Sequence, residues 1–366
     1  MTAVAHPPNV VWKSIPGAPT ITPLASFVHP EPALPRSVDG RRLDVFQAYQ
    51  AKVRSHAARS PIQAYTVEMR NLELAYHPVH KTVAGRDGNG RLLTDLIRYA
   101  GGSAESFDEA TPVIDLPGRS LLAIEGHAFN YYHFLLNALV RTAVVMQTHP
   151  RVAFDQIIVT DDSPGYVRAA LEMLNVPAER VVSLARTPRV RCERALYGQY
   201  LSELVYPHRL AVQLLRGMFP ASLCGGRRIY IVRENVRRVS NEAEVRDVLV
   251  RRGFEAVRCE KLSLAEQVRL FASADAVVAP HGAGLANITF CPRGTRVIEL
   301  ASPRFVETIF WYLATSCGHE YGILLGNGPD APLSQKNGPG GWRSENAADM
   351  EIEAGKLERL CQEMGL

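Results

Sequence analysis

From about residue 120 the chain alternates short apolar runs with amphipathic stretches, and this alternation limits the fold more than any other feature. Neighbouring parallel strands need a crossover, which a helix supplies, so apolar runs separated by helical periods predict α/β layers. Strands are read at 121–124, 156–160 and 181–184, with helices at 130–147 and 164–175. A helix near 208–219 and the Gly225-Gly226 pair precede a second run, with strands at 228–232, 256–258, 276–279, 296–300 and 321–325 and a helix at 305–316. Asn241 with Glu244, and Ser263 with Glu266, have capping-box spacing at two helix starts. The whole predicts an α/β protein of two Rossmann-like domains facing across a cleft, the second a doubly wound parallel sheet.

Around this centre the organisation is simpler. Residues 1–40 carry eight prolines and read as an extended arm. A first domain is expected over 41–222, with a turn at 87–90, and a second over 223–325. Residues 326–366 then form a loop and a closing amphipathic helix at 350–364.

Composition removes several classes of function. Hydrophobic residues make up 46% and charged residues 21% of the 366, which suits a packed globular chain. A net charge of +4 is too small to imply nucleic acid but suits an anionic small molecule. The six cysteines stand far apart with no Cys-x-x-Cys pair, so reduced thiols are expected and no zinc site. The first 20 residues lack an apolar stretch of signal-peptide length, and the apolar segment 128–140 is interrupted by Asn130, His133 and Asn137. The expectation is a cytoplasmic protein without a transmembrane segment, its arm open to peripheral membrane association.

Three groups of residues can carry chemistry. His281, Gly282, Ala283 and Gly284 follow an apolar strand and open a helix, where bare backbone and free N–H groups favour a phosphate. Glu299 ends the next strand, where a carboxylate can accept from ribose hydroxyls. A dinucleotide site would look similar, but Asn287 stands at its third glycine. Arg233, Arg237 and Arg238 follow another strand on the same edge of the sheet, and guanidinium forks match phosphate oxygens in two-point geometry.

The third group is Asn130, His133, Asn137 and Arg141, spaced by three, four and four on an otherwise apolar helix. Such a line suits a cleft, with His133 as general base and Arg141 holding an anion. Glu125 and His127, just before that helix, are second candidates for acid/base work. Plainer readings stand beside these: a tight turn with a packed histidine, a solvated basic loop, a core histidine. No Asp-x-Asp pair, Walker loop or Gly-x-Ser-x-Gly elbow occurs, and nothing calls for a metal or a cofactor.

These motifs, in this order, resemble glycosyltransferase family 61. The resemblance spans about 120–325 and is carried by Asn130-Tyr131-Tyr132-His133-Phe134-Leu135-Leu136, by Ile231-Val232-Arg233 through Arg237, Arg238 and Asn241-Glu242, and by Pro280-His281-Gly282-Ala283-Gly284-Leu285 with Val297-Ile298-Glu299. It implies a GT-B arrangement, a nucleotide-sugar donor on the C-terminal domain and a glycan acceptor on the N-terminal one, with inverting transfer that needs no metal. It also implies a role in surface polysaccharide synthesis. Asn137 stands where the family usually has Asp, Phe134 where Trp is frequent and Val140 where Pro is frequent. Asn cannot act as a base, so His133 or Glu125 would take that part. The alternatives are a nucleotide-dependent oxidoreductase and a nucleotide- or glycan-binding module without catalysis.

Overall fold

The computed structural model describes residues 20–27, 32–57, 62–93, 96, 106–127, 129–203, 206–328 and 348–366. Among these, 20–27 and 62–203 gather into one compact unit, and 32–57 with 206–366 into another.

The first unit begins with β1 (Thr20–Phe27), the one long element of the Pro-rich arm among the described residues. It lies at a sheet edge, where the missing N–H of Pro23 is tolerated, and its register shifts just beyond that proline. The next element, α1 (Leu43–Ala57), belongs to the second unit. The first unit continues through β2 (Ile62–His77), β3 (Thr82–Arg86) and β4 (Ile114–Ala123). A helical stretch follows as α2 (Tyr131–His133), a π-helical segment Phe134–Leu139 and α3 (Val140–Thr148). Then come β5 (Gln156–Val159), α4 (Gly165–Met173), β6 (Val181–Ser183) and β7 (Arg189–Gly198).

Its seven-stranded sheet runs β1-β2-β7-β4-β5-β6, with β3 paired to β2. Strands β7, β4, β5 and β6 are parallel; β4, β5 and β6 are the ones the alternation predicts, and β7 is an addition to them. By contrast, β1, β2 and β3 are antiparallel, so this unit is a mixed sheet rather than a purely parallel one. The sequence of β2, Tyr65-Thr66-Val67-Glu68-Met69-Arg70, alternates by two, the pattern of a sheet with one face in the core. Val67, Met69, Leu72 and Leu74 join Leu122, Ile124 and Ile158 in a single core. The turn at 87–90 closes only the Arg86 to Leu92 bridge, and β2 joins β3 through 78–81.

Two short strands, β8 (Ser202–Glu203) and β9 (Tyr206–Pro207), and then α5 (Arg209–Met218) lead onward. The second unit contains β10 (Arg227–Ile231), α6 (Glu242–Arg251), β11 (Phe254–Val257), α7 (Leu264–Ala272) and β12 (Ala274–Pro280). A 3₁₀ segment Ala283–Phe290, β13 (Arg296–Ala301), α8 (Ile309–Cys317), β14 (Glu320–Leu325) and α9 (Ala354–Glu363) complete it. Its five strands are all parallel in the order β11-β10-β12-β13-β14, the doubly wound sheet that the second run predicts. Counted within the unit this is the order 2-1-3-4-5, whose switch point lies between β10 and β12.

Several local expectations change. Ser263 and Glu266 form their capping box, but Asn241 does not cap α6. Its amide instead accepts from Ile352 N and donates to Ile352 O, tying the chain before α9 to the helix start. Residues 348–353 are therefore extended, with Met350 bridged to Val239, and the closing helix starts at Ala354. A linear division at 222 leaves 32–57 with the first half, yet these residues pack on the second unit. Arg36 bridges Gly322 on β14, and Phe46 of α1 meets Trp311 of α8 edge-on at 5.1 Å. The remainder of the Pro-rich arm and most of the 326–346 loop lie outside the described residues.

Candidate functional site

In the second unit the switch point brings two predicted groups together. Arg233 leaves the end of β10, and His281 and Gly282 leave the end of β12. The Arg233 guanidinium donates to the backbone oxygens of Val236 at 3.0 Å and His281 at 3.3 Å. It lies so close to Gly282 that a Cβ there would be 1.3 Å from Nη1. Gly282 is thus needed for the arginine's approach, whereas a Cβ at Gly284 would meet only ordinary contacts. Ala283 and Gly284 are partly exposed beside it and open the 3₁₀ segment.

Arg237 joins this place from a left-handed backbone conformation, φ 57°. Its guanidinium lies over the Phe305 ring at 5.5 Å, and the same ring meets His281 edge-on at 5.1 Å. Burial, and then the neighbouring Arg233 charge, push the Arg237 pKa down to about 10. Burial also lowers that of Arg233, against the pull of Glu260. Two desolvated like charges held side by side are costly unless an anion joins them. Arg238 does not join them: its exposed guanidinium chelates Asp349 through Nε at 3.0 Å and Nη2 at 2.6 Å.

Glu299 is placed differently from a ribose ligand. The side chain is fully buried, with Oε1 bonded to His281 Nδ1 and Oε2 to the Tyr321 hydroxyl. The carboxylate accepts, so Nδ1 carries the proton and the ring is fixed in one orientation. Burial and the adjacent carboxylate push the Tyr321 phenol far above its usual range, which keeps it a donor. Asn287, at the third-glycine position, is buried and donates to Gln267 at 2.7 Å.

In the first unit the line of polar residues is broken by the π-helical segment. Each extra residue in a turn rotates later positions by about 100° relative to an α-helix. His133 and Asn137 remain neighbours, with Asn137 Nδ2 donating to His133 Nδ1 at 3.1 Å. Arg141 turns inward instead, 1% exposed, donating to Gly198 O at 2.8 Å and Ile124 O at 3.3 Å and stacking on Tyr200 at 4.2 Å. It ties the ends of β4 and β7 rather than reaching an anion. Asn130 caps α2, accepting from Tyr132 N at 3.0 Å. Glu125 is fully buried and accepts from the Tyr200 hydroxyl at 2.6 Å.

His133 and His127 remain as the titratable pair, ring centroids 5.5 Å apart. Burial, with a smaller push from His127, drives the His133 pKa down to about 4, and burial lowers that of His127. Both rings are neutral near pH 7. Tyr200, Tyr321 and Phe305 escaped the sequence reading, because each acts through a partner that only strand register or loop packing brings near. The six cysteines are free, and five of them are buried. Among the described residues no group of three or more His, Cys, Asp or Glu could hold a metal ion, and no helix is long and apolar enough to cross a membrane.

The model of the family described as Glycosyltransferase 61 matches residues 131–298. This match supports assigning the chain to glycosyltransferase family 61. The matched stretch runs from α2 to the β13 strand and includes His133, Arg233, Arg237 and the His281 to Gly284 turn, with Glu299 one residue beyond it. Family 61 membership implies glycosyltransferase activity, with a donor and an acceptor as substrates. No curated protein sequence matches the chain.

Proposed function

We propose that this glycosyltransferase is of GT-B type and moves a sugar, with inversion, from a UDP-sugar to a hydroxyl of a glycan in surface polysaccharide synthesis, without a metal. The observation that carries the donor half is the placement of Arg233 against Gly282, with Arg237 beside it, at the switch point of a parallel sheet. A diphosphate there meets two guanidinium groups and the bare backbone after β12. As the anomeric C–O bond breaks, charge grows on the leaving diphosphate, and fixed cations in a desolvated site stabilise it where it develops. His281, oriented by Glu299, offers a further polar edge on the same loop.

The acceptor half rests on the first unit. His133 is neutral and takes the hydroxyl proton on Nδ1 as the acceptor oxygen attacks the anomeric carbon; that lone pair is the one the Asn137 amide N–H meets in the resting site and yields to the acceptor hydroxyl. The depressed pKa makes it a weak base, so its contribution lies in position more than in basicity.

The test is a thermal-shift series with UDP, GDP, CMP and NAD, with and without chelator, on the full chain and on Arg233→Ala. UDP should raise the Tm of the parent, chelator should not alter that shift, and the variant should lose it. A shift by NAD alone, or one unchanged in Arg233→Ala, ends this reading of the site.

A further inference from the structure

We infer that the β2–β3 turn and Phe129 form a binding platform for an acidic saccharide ring on the first unit, which makes the acceptor a carboxylate-bearing glycan; this rests on the transferase reading above. Phe129 follows β4 as an exposed residue, and among the described exposed large apolar residues it is the aromatic one. The Lys81 ammonium stands 5.6 Å from the centroid of that ring. Sugar rings present C–H faces that stack on aromatic rings; with Lys81 over one face of Phe129, a sugar takes the other, and the ammonium offers an anchor for its carboxylate at the ring edge.

The turn that carries Lys81 is held in place. Lys81 has φ 51°, in the left-handed region a lysine rarely adopts. His77 accepts from His80 N at 3.2 Å, and the two imidazoles stack at 4.4 Å. Val79, at the tip, is 79% exposed. Lys81 forms no ion pair with any described carboxylate. Asp161 instead acts on Tyr76 and Tyr166, raising both phenol pKa values after burial has done so. Among the described residues its partner is the Phe129 ring, and an ammonium held over an aromatic face keeps N–H groups to offer an acid.

The platform also adjoins the base. His127 meets Phe129 edge-on at 5.7 Å and His133 at 5.5 Å. A ring stacked on Phe129 thus lies one imidazole away from His133. No comparable exposed aromatic with a cation over it occurs among the described residues of the second unit.

The experiment uses the full chain and oligosaccharides of galacturonic, glucuronic and mannuronic acid, each beside its carboxyl-reduced neutral counterpart, titrated by calorimetry. At least one acid should bind about tenfold or more tightly than its neutral partner. Phe129→Ala should lose that binding by about tenfold, Lys81→Ala should abolish the preference for the acid, and Lys81→Arg should restore it. UDP-induced Tm shifts on the same proteins report the second unit separately. If no acid is preferred over its neutral form, or binding survives Phe129→Ala, the platform is wrong while an intact UDP shift leaves the transferase reading standing. If the parent shows no UDP shift, the donor site fails, and saccharide binding still decides the platform.

Discussion

A buried histidine and a half-buried one stand near the carboxyl ends of parallel strands, and the chain treats them in opposite ways. His281 in the second unit is given a carboxylate, Glu299, which is itself held by Tyr321. His133 in the first unit is given an amide, Asn137, and a second imidazole. The first arrangement fixes a proton on Nδ1 and holds the ring in one orientation. In the second, desolvation keeps the ring neutral down to a pH of about 4. The comparison teaches that the partner on the ring nitrogen, and not burial alone, decides what a histidine in such a place can do.

The sharpest way to break this contrast is to remove His133. His133→Ala should cut transfer by roughly 10²- to 10⁴-fold with UDP binding intact, read as kcat at saturating donor. Unchanged transfer would remove His133 from the chemistry. On the other side, Arg233→Ala should lose about 10²- to 10³-fold in transfer with little change in Tm, because the guanidinium contacts only backbone oxygens. Gly282→Ala should resemble it at a smaller scale, since the added methyl group displaces the arginine tip rather than the backbone, while Gly284→Ala should change UDP affinity by less than about threefold. Equal losses at the two glycines would show that the Arg233 contact is not what Gly282 serves.

A milder probe is pH. With His133 at about 4, the acid limb of kcat/KM should fall well below pH 6.5 and not at the usual imidazole value. Stability follows with the same sign. Between about pH 6.5 and 4 the unfolded chain binds a proton that folded His133 excludes, so stability should decline as pH falls through that window. His319 in the second unit, also pushed down to about 4 by burial, adds its own share, so His133→Gln should shallow the decline without abolishing it. The smallest expected effect is that of Arg238→Ala: its guanidinium is exposed and committed to Asp349, and UDP affinity should stay within about threefold. A large loss there would bring Arg238 back into the donor site.

Much of the second unit was legible in the sequence because its parallel strands are buried on both faces and read as unbroken apolar runs, as in Val277, Val278 and Ala279. The turn after β12 and the arginines after β10 were legible for the same reason: strand ends fix where loops emerge. The first unit was less so. Its antiparallel strands carry Glu68, Arg70 and Glu73 among the apolar residues, a pattern that a mixed segment can share. The line from Asn130 to Arg141 assumed an even helical period, and the π-helical segment changed it. Asn241 had the spacing of a cap but found a stronger pair of partners at Ile352, distant in sequence.

The order of strands and helices, the glycine turn and the supply of arginines followed from the chain alone, since each depends on residues within a few positions of one another. Which arginine faces the turn, which acid holds His281 and which way Arg141 points were settled only in three dimensions. Those outcomes depend on hydrogen-bond partners such as Glu299, which lies 18 residues from His281 and 22 from Tyr321. Strand register and burial choose such partners, and neither is a property of a local window.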